Sequence, residues 1–513
     1  MKESKSFDLL NSPLEKTNLI EASAGTGKTY AIAGIFLRLL LEKRLSAGEI
    51  LVVTYTVAAT EELRDRIRRT IRAAIDAFAG RRQEDPFLHG LASRPPGNNP
   101  SASYDRRETL RILRAALRDF DEAAIYTIHG FCQRVLHENA FESMGLFDTE
   151  LVPDERALKE EILQDYWRHH FYNAEQEFVS YSLNNNFTFQ FFMELTKGRL
   201  SHPDMKIIPG ATPVVLDALP SFRRACETVR SSWPGVRNEI LVKLQDPNLK
   251  KTGYGNPEAL IAMMDGFKDA NTTFPLFKDF EKFTTTGLKR GTKTGKIPPG
   301  HFFFEACETL MENASLLEKQ IEGQLLFLKA DVFRYLREEL RKRKHAQNIQ
   351  SFDDLLINLR DALEKTGGKE LISKIRSRYR AALIDEFQDT DPIQYAIFQY
   401  IFGREGFPLF FIGDPKQSIY SFRGADLFAY MRASRHVDSR YTLTNNWRSE
   451  PELVCAVNTI FENPKEAFLY NEVPFERAVA GEVKDRRILT VDKRLEPPFH
   501  LWFLSGRRLE GAG

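Results

Sequence analysis

Short apolar runs recur along the chain, and each ends in polar or small residues. The runs cover residues 19–20, 49–56, 124–128, 379–384 and 409–412. Runs of this length and composition predict buried strands of a parallel sheet. After the second run, apolar residues recur at helical spacing, at Leu63, Ile67, Ile71, Ala74 and Phe78. The alternation of strand and helix predicts an α/β fold with a parallel sheet.

Residues 151–345 have a different pattern. Aromatic residues are frequent there, the helical runs are long, and no chemical motif stands out. We therefore expect a large, mainly helical insertion. The basic, glycine-rich stretch 287–299 within it is either a solvated loop or an electrostatic contact to DNA.

Length and composition set broad limits. A chain of 513 residues predicts two to four domains, and a hydrophobic fraction of 42% is enough for ordinary cores. The net charge of +1 argues neither for nor against a nucleic-acid partner. The four cysteines are far apart in sequence, so we expect reduced, packed thiols. With no signal core and no apolar run long enough for a bilayer, we expect a cytoplasmic protein without a membrane partner.

The first apolar run is followed by a glycine-containing loop, and a helix-like run follows the loop. The N-terminus of a helix presents unpaired backbone N–H groups that can bind nucleotide phosphates. Gly25 and Gly27 let the backbone approach the phosphates closely. Lys28 supplies a positive charge, and the hydroxyl of Thr29 can ligate Mg²⁺. The predicted nucleotide-binding residues are Ala22 (where the usual pattern has glycine), Ser23, Ala24, Gly25, Thr26, Gly27, Lys28 and Thr29.

Three later segments carry further candidate chemistry. Asp385 and Glu386 end an apolar strand, where Asp385 can hold a metal ion and Glu386 can deprotonate an attacking water. Gln417 follows the strand at 409–412 and can hydrogen-bond a γ-phosphate. In the segment 443–449, Arg448 can neutralise charge in a transition state, and Trp447 can pack on an adenine ring.

Candidate nucleic-acid contacts lie near the same strand ends. On the helix after the second strand, Arg64 is part of an arginine row that is either a solvated surface or a contact to the phosphate backbone. The segment 127–131 includes His129 and Phe131, which suggest contacts to a nucleic-acid strand. Tyr420 and Phe422 are aromatic rings on which bases can stack.

Six segments, in this order, resemble superfamily 1A DNA helicases of the UvrD/Rep-like group. They are ASAGTGKT, VTYTVAATEELRDRI, TIHGFCQRVL, IDEFQDTDPIQ, GDPKQSIYSFRGAD and LTNNWRSEPEL. The run LIEASAGTGKT, the run IYTIHGFCQRVL and the long insertion are most similar to the RecB branch, the β subunits of exodeoxyribonuclease V.

The resemblance implies a RecA-like P-loop NTPase core and an ATP-driven motor that moves 3′ to 5′ on single-stranded DNA. Domain 1A would cover residues 1–150 and 346–435, the insertion 1B residues 151–345, and an incomplete second RecA-like domain, 2A, residues 436–513. The implied cofactors are ATP and Mg²⁺. The implied partners are single-stranded DNA, DNA ends and RecC- and RecD-like subunits, in recombinational double-strand-break repair.

The resemblance also assigns roles to residues. Lys28 and Thr29 correspond to phosphate and Mg²⁺ binding, and Asp385 to a Mg²⁺ ligand. Glu386 corresponds to the catalytic base, Gln417 to a γ-phosphate sensor and Arg448 to a transition-state arginine. The residues in segments that meet DNA are Thr56, His129, Tyr420 and Phe422.

Two interpretations remain open at the level of the sequence. The later motifs of the family and a C-terminal nuclease domain are missing before residue 513, so we expect a truncated form of such a helicase. The alternative is a nucleotide- and DNA-binding module without turnover. An unrelated P-loop kinase is disfavoured, because a kinase needs neither Gln417 with its aromatic tail nor the Asp385–Glu386 strand end.

Overall fold

The computed structural model describes residues 4–502, except for 82–83, 94–104, 141–148, 198–204, 209, 211, 271–273, 366, 404–405, 419–425, 463, 465–466, 469, 471, 482–489, 493 and 498. Its contacts divide the chain into two compact units. Unit 1 comprises Met1–Thr149 and Phe352–Gly513, and unit 2 comprises Glu150–Ser351.

The strands of the described residues are numbered in chain order. They are β1 (Lys5–Ser6), β2 (Thr17–Ala22), β3 (Ile50–Thr54), β4 (Ile125–Thr127), β5 (Glu150–Leu151), β6 (Ile349–Gln350), β7 (Ala381–Ile384), β8 (Leu409–Gly413), β9 (Ser439–Leu443), β10 (Asn445–Asn446), β11 (Val479–Ala480), β12 (Thr490–Val491) and β13 (Arg494–Leu495).

The α-helices are numbered in the same way. In the first part of unit 1 they are α1 (Lys28–Glu42), α2 (Val57–Phe78), α3 (Pro86–Ala92), α4 (Arg106–Arg118) and α5 (Ile128–Glu138). In unit 2 they are α6 (Arg156–Phe171), α7 (Gln176–Asn184), α8 (Phe189–Thr196), α9 (Leu219–Leu244), α10 (Lys251–Tyr254), α11 (Pro257–Asp269), α12 (Thr285–Gly291) and α13 (Phe302–Gln347). In the second part of unit 1 they are α14 (Phe352–Glu364), α15 (Gly368–Arg378), α16 (Pro392–Phe402), α17 (Leu427–His436) and α18 (Pro451–Glu462).

Unit 1 is built on a seven-stranded sheet in the order β1-β9-β2-β8-β7-β3-β4. Every neighbouring pair in this sheet is parallel. All residues of β2, β3, β7 and β8 are buried, as expected where helices cover both faces of a parallel sheet. The predicted α/β fold with a parallel sheet is thus confirmed.

The helices of unit 1 bury apolar faces against this sheet. Helix α1 is buried from Ala31 to Leu41, and α2 buries Leu63, Ile67, Ile71, Ala74 and Phe78, the helical pattern predicted from the sequence. Because all the strands run in the same direction, their carboxyl ends share one edge, which is where ligands of open α/β sheets bind.

Unit 2 is mainly helical and has its own apolar core. The 46-residue helix α13 packs along α9, and the core includes Tyr166, Phe222, Trp233 and Phe303. A parallel two-residue pair, β5 with β6, joins the first and last residues of the unit.

The four-part domain division predicted from the sequence stays a prediction. Strand β9, which lies within the predicted segment 436–513, pairs with β1 on one side and β2 on the other in the main sheet. Within the described ranges, no helix combines the length and the apolar character needed to cross a membrane.

Candidate nucleotide-binding site

The loop between β2 and α1, residues 23–27, has the backbone expected of a phosphate-binding loop and is called the phosphate loop below. Gly25 and Gly27 have φ angles of 82° and 92°, in the left-handed region where a side chain is strained. The hydroxyl of Thr26 donates to the carbonyl of Ser23 at 2.8 Å and closes the turn. Helix α1 begins at Lys28, directly after Gly27, so its first backbone N–H groups point into the loop.

Lys28 contacts the carboxylate that ends the next-but-one strand of the sheet. Its Nζ lies 2.6 Å from Oε2 of Glu386, and the two side chains are 14% and 33% exposed. These residues are 358 positions apart in the chain. The fold brings them together because β2 and β7 both flank β8.

Asp385 is buried beside Glu386, at 8% exposure. The hydroxyl of Thr54, at the end of β3, donates to its Oδ2 at 3.4 Å, whereas its Oδ1 is buried without a hydrogen-bond partner among the described residues. Burial raises the pKa of Asp385 to about 7, and the negative charge of Glu386 adds to the rise. The Lys28 ammonium opposes it.

These features fit a divalent cation at Asp385. A buried carboxylate oxygen without a donor is a hard ligand of the kind that Mg²⁺ prefers, and a nearby cation would stabilise its charged form. No group of three or more His, Cys, Asp or Glu side chains in the described part of the chain could hold a metal by itself.

The residues after β8 form a compact turn at the same sheet edge. The Gln417 amide donates to Oδ2 of Asp414 at 2.8 Å, and the Lys416 ammonium lies 2.8 Å from Oδ1 of that carboxylate. Asp414 is 2% exposed. Gln417 is therefore held next to the end of β8, which lies between β2 and β7.

The segment 446–448 contacts the phosphate loop through the backbone of Trp447 and the side chain of Asn446. The Trp447 N–H donates to the Gly25 carbonyl at 2.8 Å, and the side-chain amide of Asn446 donates to the Ala24 carbonyl at 3.2 Å. The Arg448 N–H donates to Oδ1 of Asn446 at 3.0 Å. Trp447 is 55% exposed, and Arg448 is exposed.

Comparison with known proteins decides the family. A family model described as "UvrD/REP helicase N-terminal domain" matches residues 4–438. The chain belongs to the UvrD/REP helicase family. The resemblance inferred from the sequence motifs is thus confirmed.

Curated relatives of this UvrD/REP helicase chain include three proteins named "RecBCD enzyme subunit RecB". The Escherichia coli (strain K12) protein is 35% identical over 98% of this chain and 42% of its own length. The Haemophilus influenzae protein is 32% identical over 99% and 45%. The Mycobacterium tuberculosis (strain ATCC 25618 / H37Rv) protein is 29% identical over 89% and 31%. The chain therefore spans less than half the length of these relatives.

The residues of this UvrD/REP helicase that were predicted to contact DNA have varied placements. Thr56 caps α2, because its hydroxyl accepts from the Ala59 N–H at 3.1 Å. Arg64 donates to the Ile125 carbonyl at 3.3 Å. His129 packs edge-on against Phe352, and burial lowers its pKa, although Asp353 opposes the shift. Tyr420 and Phe422 lie outside the described residues.

Phe131 is placed differently from the prediction. Its side chain is fully buried and packs against Tyr379 and Phe398, with ring centroids 5.9 Å and 6.1 Å away. A ring without exposed surface cannot stack on a base, so the structure assigns Phe131 to the core of unit 1.

Sequence reasoning missed several polar residues of the site region. Glu21, in β2, accepts from the Arg440 guanidinium at 2.8 Å and from the Tyr430 hydroxyl at 2.7 Å, and all three side chains are buried. The signal was a charged residue directly after the apolar pair Leu19 and Ile20 of the strand. Gln388 and Asn446 were also missed, because each has one partner that is distant in sequence, the Asp414 N–H for Gln388 and the Ala24 carbonyl for Asn446.

Proposed function

We propose that the chain is the ATP-driven motor part of a RecB-type DNA helicase. It would move 3′ to 5′ on single-stranded DNA and act in recombinational double-strand-break repair. The observation that carries the proposal is the convergence of the Lys28, Asp385–Glu386 and Gln417 segments at the carboxyl edge of the adjacent strands β2, β7 and β8.

The binding roles follow from the charges at this edge. The N-terminus of α1 and the Lys28 ammonium bind the β- and γ-phosphates of ATP. Thr29 and Asp385 would hold Mg²⁺, which would supply positive charge to the phosphates. Trp447 packs on the adenine ring from the segment that contacts the phosphate loop.

The reaction roles belong to three side chains. Glu386 accepts a proton from the attacking water. Gln417 hydrogen-bonds the γ-phosphate, and Arg448 stabilises the charge that develops in transfer. Lys28 leaves the Glu386 carboxylate when phosphate binds, and this frees the carboxylate to act as a base.

DNA and protein partners are part of the same proposal. Thr56 and His129 follow the carboxyl ends of β3 and β4, and Arg64 lies on α2 and contacts Ile125 of β4. Tyr420 and Phe422 add stacking rings. The curated relatives are named as subunits of a RecBCD enzyme. We propose RecC- and RecD-like partners, DNA ends as substrate and a cytoplasmic location for this chain.

A second candidate is a nucleotide- and DNA-binding module without turnover. The direct ion pair between Lys28 and Glu386 favours it, because the carboxylate oxygen that contacts the ammonium is not free to accept a proton from water. The two candidates differ in hydrolysis and agree on binding.

Two substitutions test the proposal. Lys28→Ala is expected to weaken binding of Mg-ATP by about tenfold or more, because the phosphates lose a charged donor. Glu386→Gln is expected to leave Mg-ATP binding within about threefold and to slow DNA-stimulated hydrolysis by about 100-fold. Calorimetry and a phosphate-release assay with and without oligo-dT measure the two quantities.

The matched control is Lys43→Ala. Lys43 lies at the other end of α1 and pairs with Glu15 at 2.9 Å on the surface. It should change neither quantity. Tight Mg-ATP binding by Lys28→Ala would contradict the site, and a parent that binds Mg-ATP and DNA without hydrolysis would favour the second candidate.

A further inference from the structure

The side-chain amide of Gln388 joins two parts of the candidate site. Its Nε2 donates to Oε2 of Glu386 at 2.7 Å and lies 3.4 Å from Oδ2 of Asp389. Its Oε1 accepts from the Asp414 N–H at 2.9 Å. Gln388 is 2% exposed, so these are contacts within the protein interior.

The chemistry of its partners fixes the orientation of this amide. Carboxylates such as Glu386 and Asp389 accept hydrogen bonds, whereas the backbone N–H of Asp414 only donates. A flipped amide would face acceptors with its oxygen and a donor with its nitrogen. Gln388 therefore holds one orientation, and a buried amide with matched partners is a rigid connector.

The same oxygen of Glu386 also contacts Lys28. Nζ of Lys28 and Nε2 of Gln388 both lie within hydrogen-bond distance of Oε2. When the Lys28 ammonium binds phosphate, its contact with Oε2 of Glu386 is weakened. Gln388 is buried, and its other partners, Asp389 and the Asp414 N–H, do not involve Lys28, so it can keep its hydrogen bond to Glu386 when Lys28 moves away.

The amide oxygen and the backbone carbonyl of Gln388 contact the turn after β8, which includes Gln417. A Cβ added to Gly413 would collide with Oε1 of Gln388, so the amide lies directly against the end of β8. The Ser418 hydroxyl donates to the Gln388 carbonyl at 3.3 Å. Asp414, bonded to Gln388 through its N–H, in turn accepts from the Gln417 amide.

We propose that Gln388 is a positioning residue that holds the Glu386 carboxylate in place after Lys28 engages phosphate and fixes it relative to the Asp414–Gln417 turn. The inference rests on the proposed ATP-hydrolysing function. It adds a residue to which the sequence motifs gave no role.

Gln388→Met tests it, because methionine has a similar size but no hydrogen-bonding amide. In single-turnover hydrolysis with oligo-dT, we expect the rate to fall by about 10- to 100-fold while the affinity for Mg-ADP stays within about threefold. The matched control is Gln394→Met. Gln394 is 5% exposed, caps α16 and lies six residues further along; its variant should keep the parental rate within about twofold.

A double-mutant cycle separates positioning from general damage. If Gln388 acts through Glu386, then adding Gln388→Met to a Glu386→Gln variant should lower the hydrolysis rate by no more than about threefold. A structural defect would lower the rate by the same factor in both backgrounds. Equal factors would overturn the inference.

A second measurement does not need turnover. Hydrogen exchange at the Asp414 amide should be faster in Gln388→Met than in the parent and unchanged in Gln394→Met. If the parent binds Mg-ATP without hydrolysing it, unchanged protection of this amide would overturn the inference. If the parent hydrolyses ATP and Gln388→Met hydrolyses it at the same rate, the inference is wrong and the proposed function stands. If the parent does not bind Mg-ATP, both the inference and the proposed function are wrong.

Discussion

At the scale of the residue, Glu386 shows how the site uses a strained backbone. Its φ angle of 49° lies in the left-handed region, which costs a residue with a side chain about 1 kcal/mol or more. Such a conformation persists only where neighbours hold it, and here Lys28 and Gln388 both contact the carboxylate. The conformation ends β7 sharply, so that Asp385 stays buried while Glu386 reaches the phosphate loop.

Gly25 combines a left-handed backbone with a close neighbour. Its φ is 82°, and an added Cβ would lie 2.6 Å from Cβ of Arg448. We expect Gly25→Ala to lower the free energy of unfolding by about 1–3 kcal/mol and to weaken Mg-ADP binding by at least about tenfold. Urea titration and fluorescent-nucleotide titration measure the two effects.

Gly295→Ala is the matched control for Gly25→Ala. Gly295 has a similar φ of 77°, but an added Cβ would meet nothing within 4 Å. It should cost only the left-handed strain, about 1 kcal/mol, and leave nucleotide binding unchanged. Equal effects of the two substitutions on binding would show that the contact between the loop and the Arg448 segment is unimportant.

At the scale of the element, Thr56 has two candidate roles, as the N-cap of α2 and as a contact to DNA. Thr56 accepts from the Ala59 N–H, and the sequence motif assigns it to DNA. Thr56→Ala should lower the free energy of unfolding by about 1 kcal/mol, whereas Thr56→Ser should keep the cap and the parental stability. Urea titration checks this.

The DNA role of Thr56 is tested on the same two variants. Fluorescence polarisation with labelled oligo-dT should give parental affinity for Thr56→Ser and weaker binding for Thr56→Ala. Thr188→Ala is the matched control, because Thr188 caps α8 in unit 2 by accepting from the Phe191 N–H at 3.4 Å; it should leave DNA affinity unchanged. Parental DNA affinity in Thr56→Ala would reduce Thr56 to a helix cap.

The elements that the sequence predicted well are those set by local pattern. The apolar runs of β2, β3, β7 and β8 are buried on both faces, and the polar residues after them meet at one edge because parallel strands share a direction. The glycines of the phosphate loop have the positive φ angles that the motif requires.

The elements that the sequence predicted poorly depend on distant partners. Strand β9 has the sequence SRYTL, whose arginine argues against a buried strand, yet Arg440 is buried because Glu21 neutralises it across the sheet. Phe131 resembles a ligand contact in its motif, but its ring is buried against Tyr379 and Phe398. The residues next to Arg440 do not indicate its contact with Glu21, and the residues next to Phe131 do not indicate its contacts with Tyr379 and Phe398.

At the scale of the whole molecule, the chemistry and the long insertion belong to different units. Lys28, Asp385, Glu386, Gln417 and Arg448 all lie in unit 1. Unit 2 has a core of its own, with Trp233 and Phe303 among its fully buried side chains. Its first and last residues are joined by the β5–β6 pair, in which Glu150 lies opposite Ile349. Paired strands are about 4.8 Å apart, so the chain enters and leaves unit 2 at neighbouring points.

This arrangement predicts that the nucleotide site forms without unit 2. In a variant that joins residue 149 to residue 352 through a short Gly-Ser linker, the affinity for Mg-ADP should stay within about threefold of the parent. Residues 150–351 alone should unfold cooperatively, because they bury an independent core. Nucleotide titration and thermal circular dichroism measure the two parts, and Lys28→Ala in the shortened chain is the control for specific binding. A shortened chain that is folded but has lost Mg-ADP binding would mean that unit 2 supports the site, and the assignment of the whole nucleotide site to unit 1 would then be wrong.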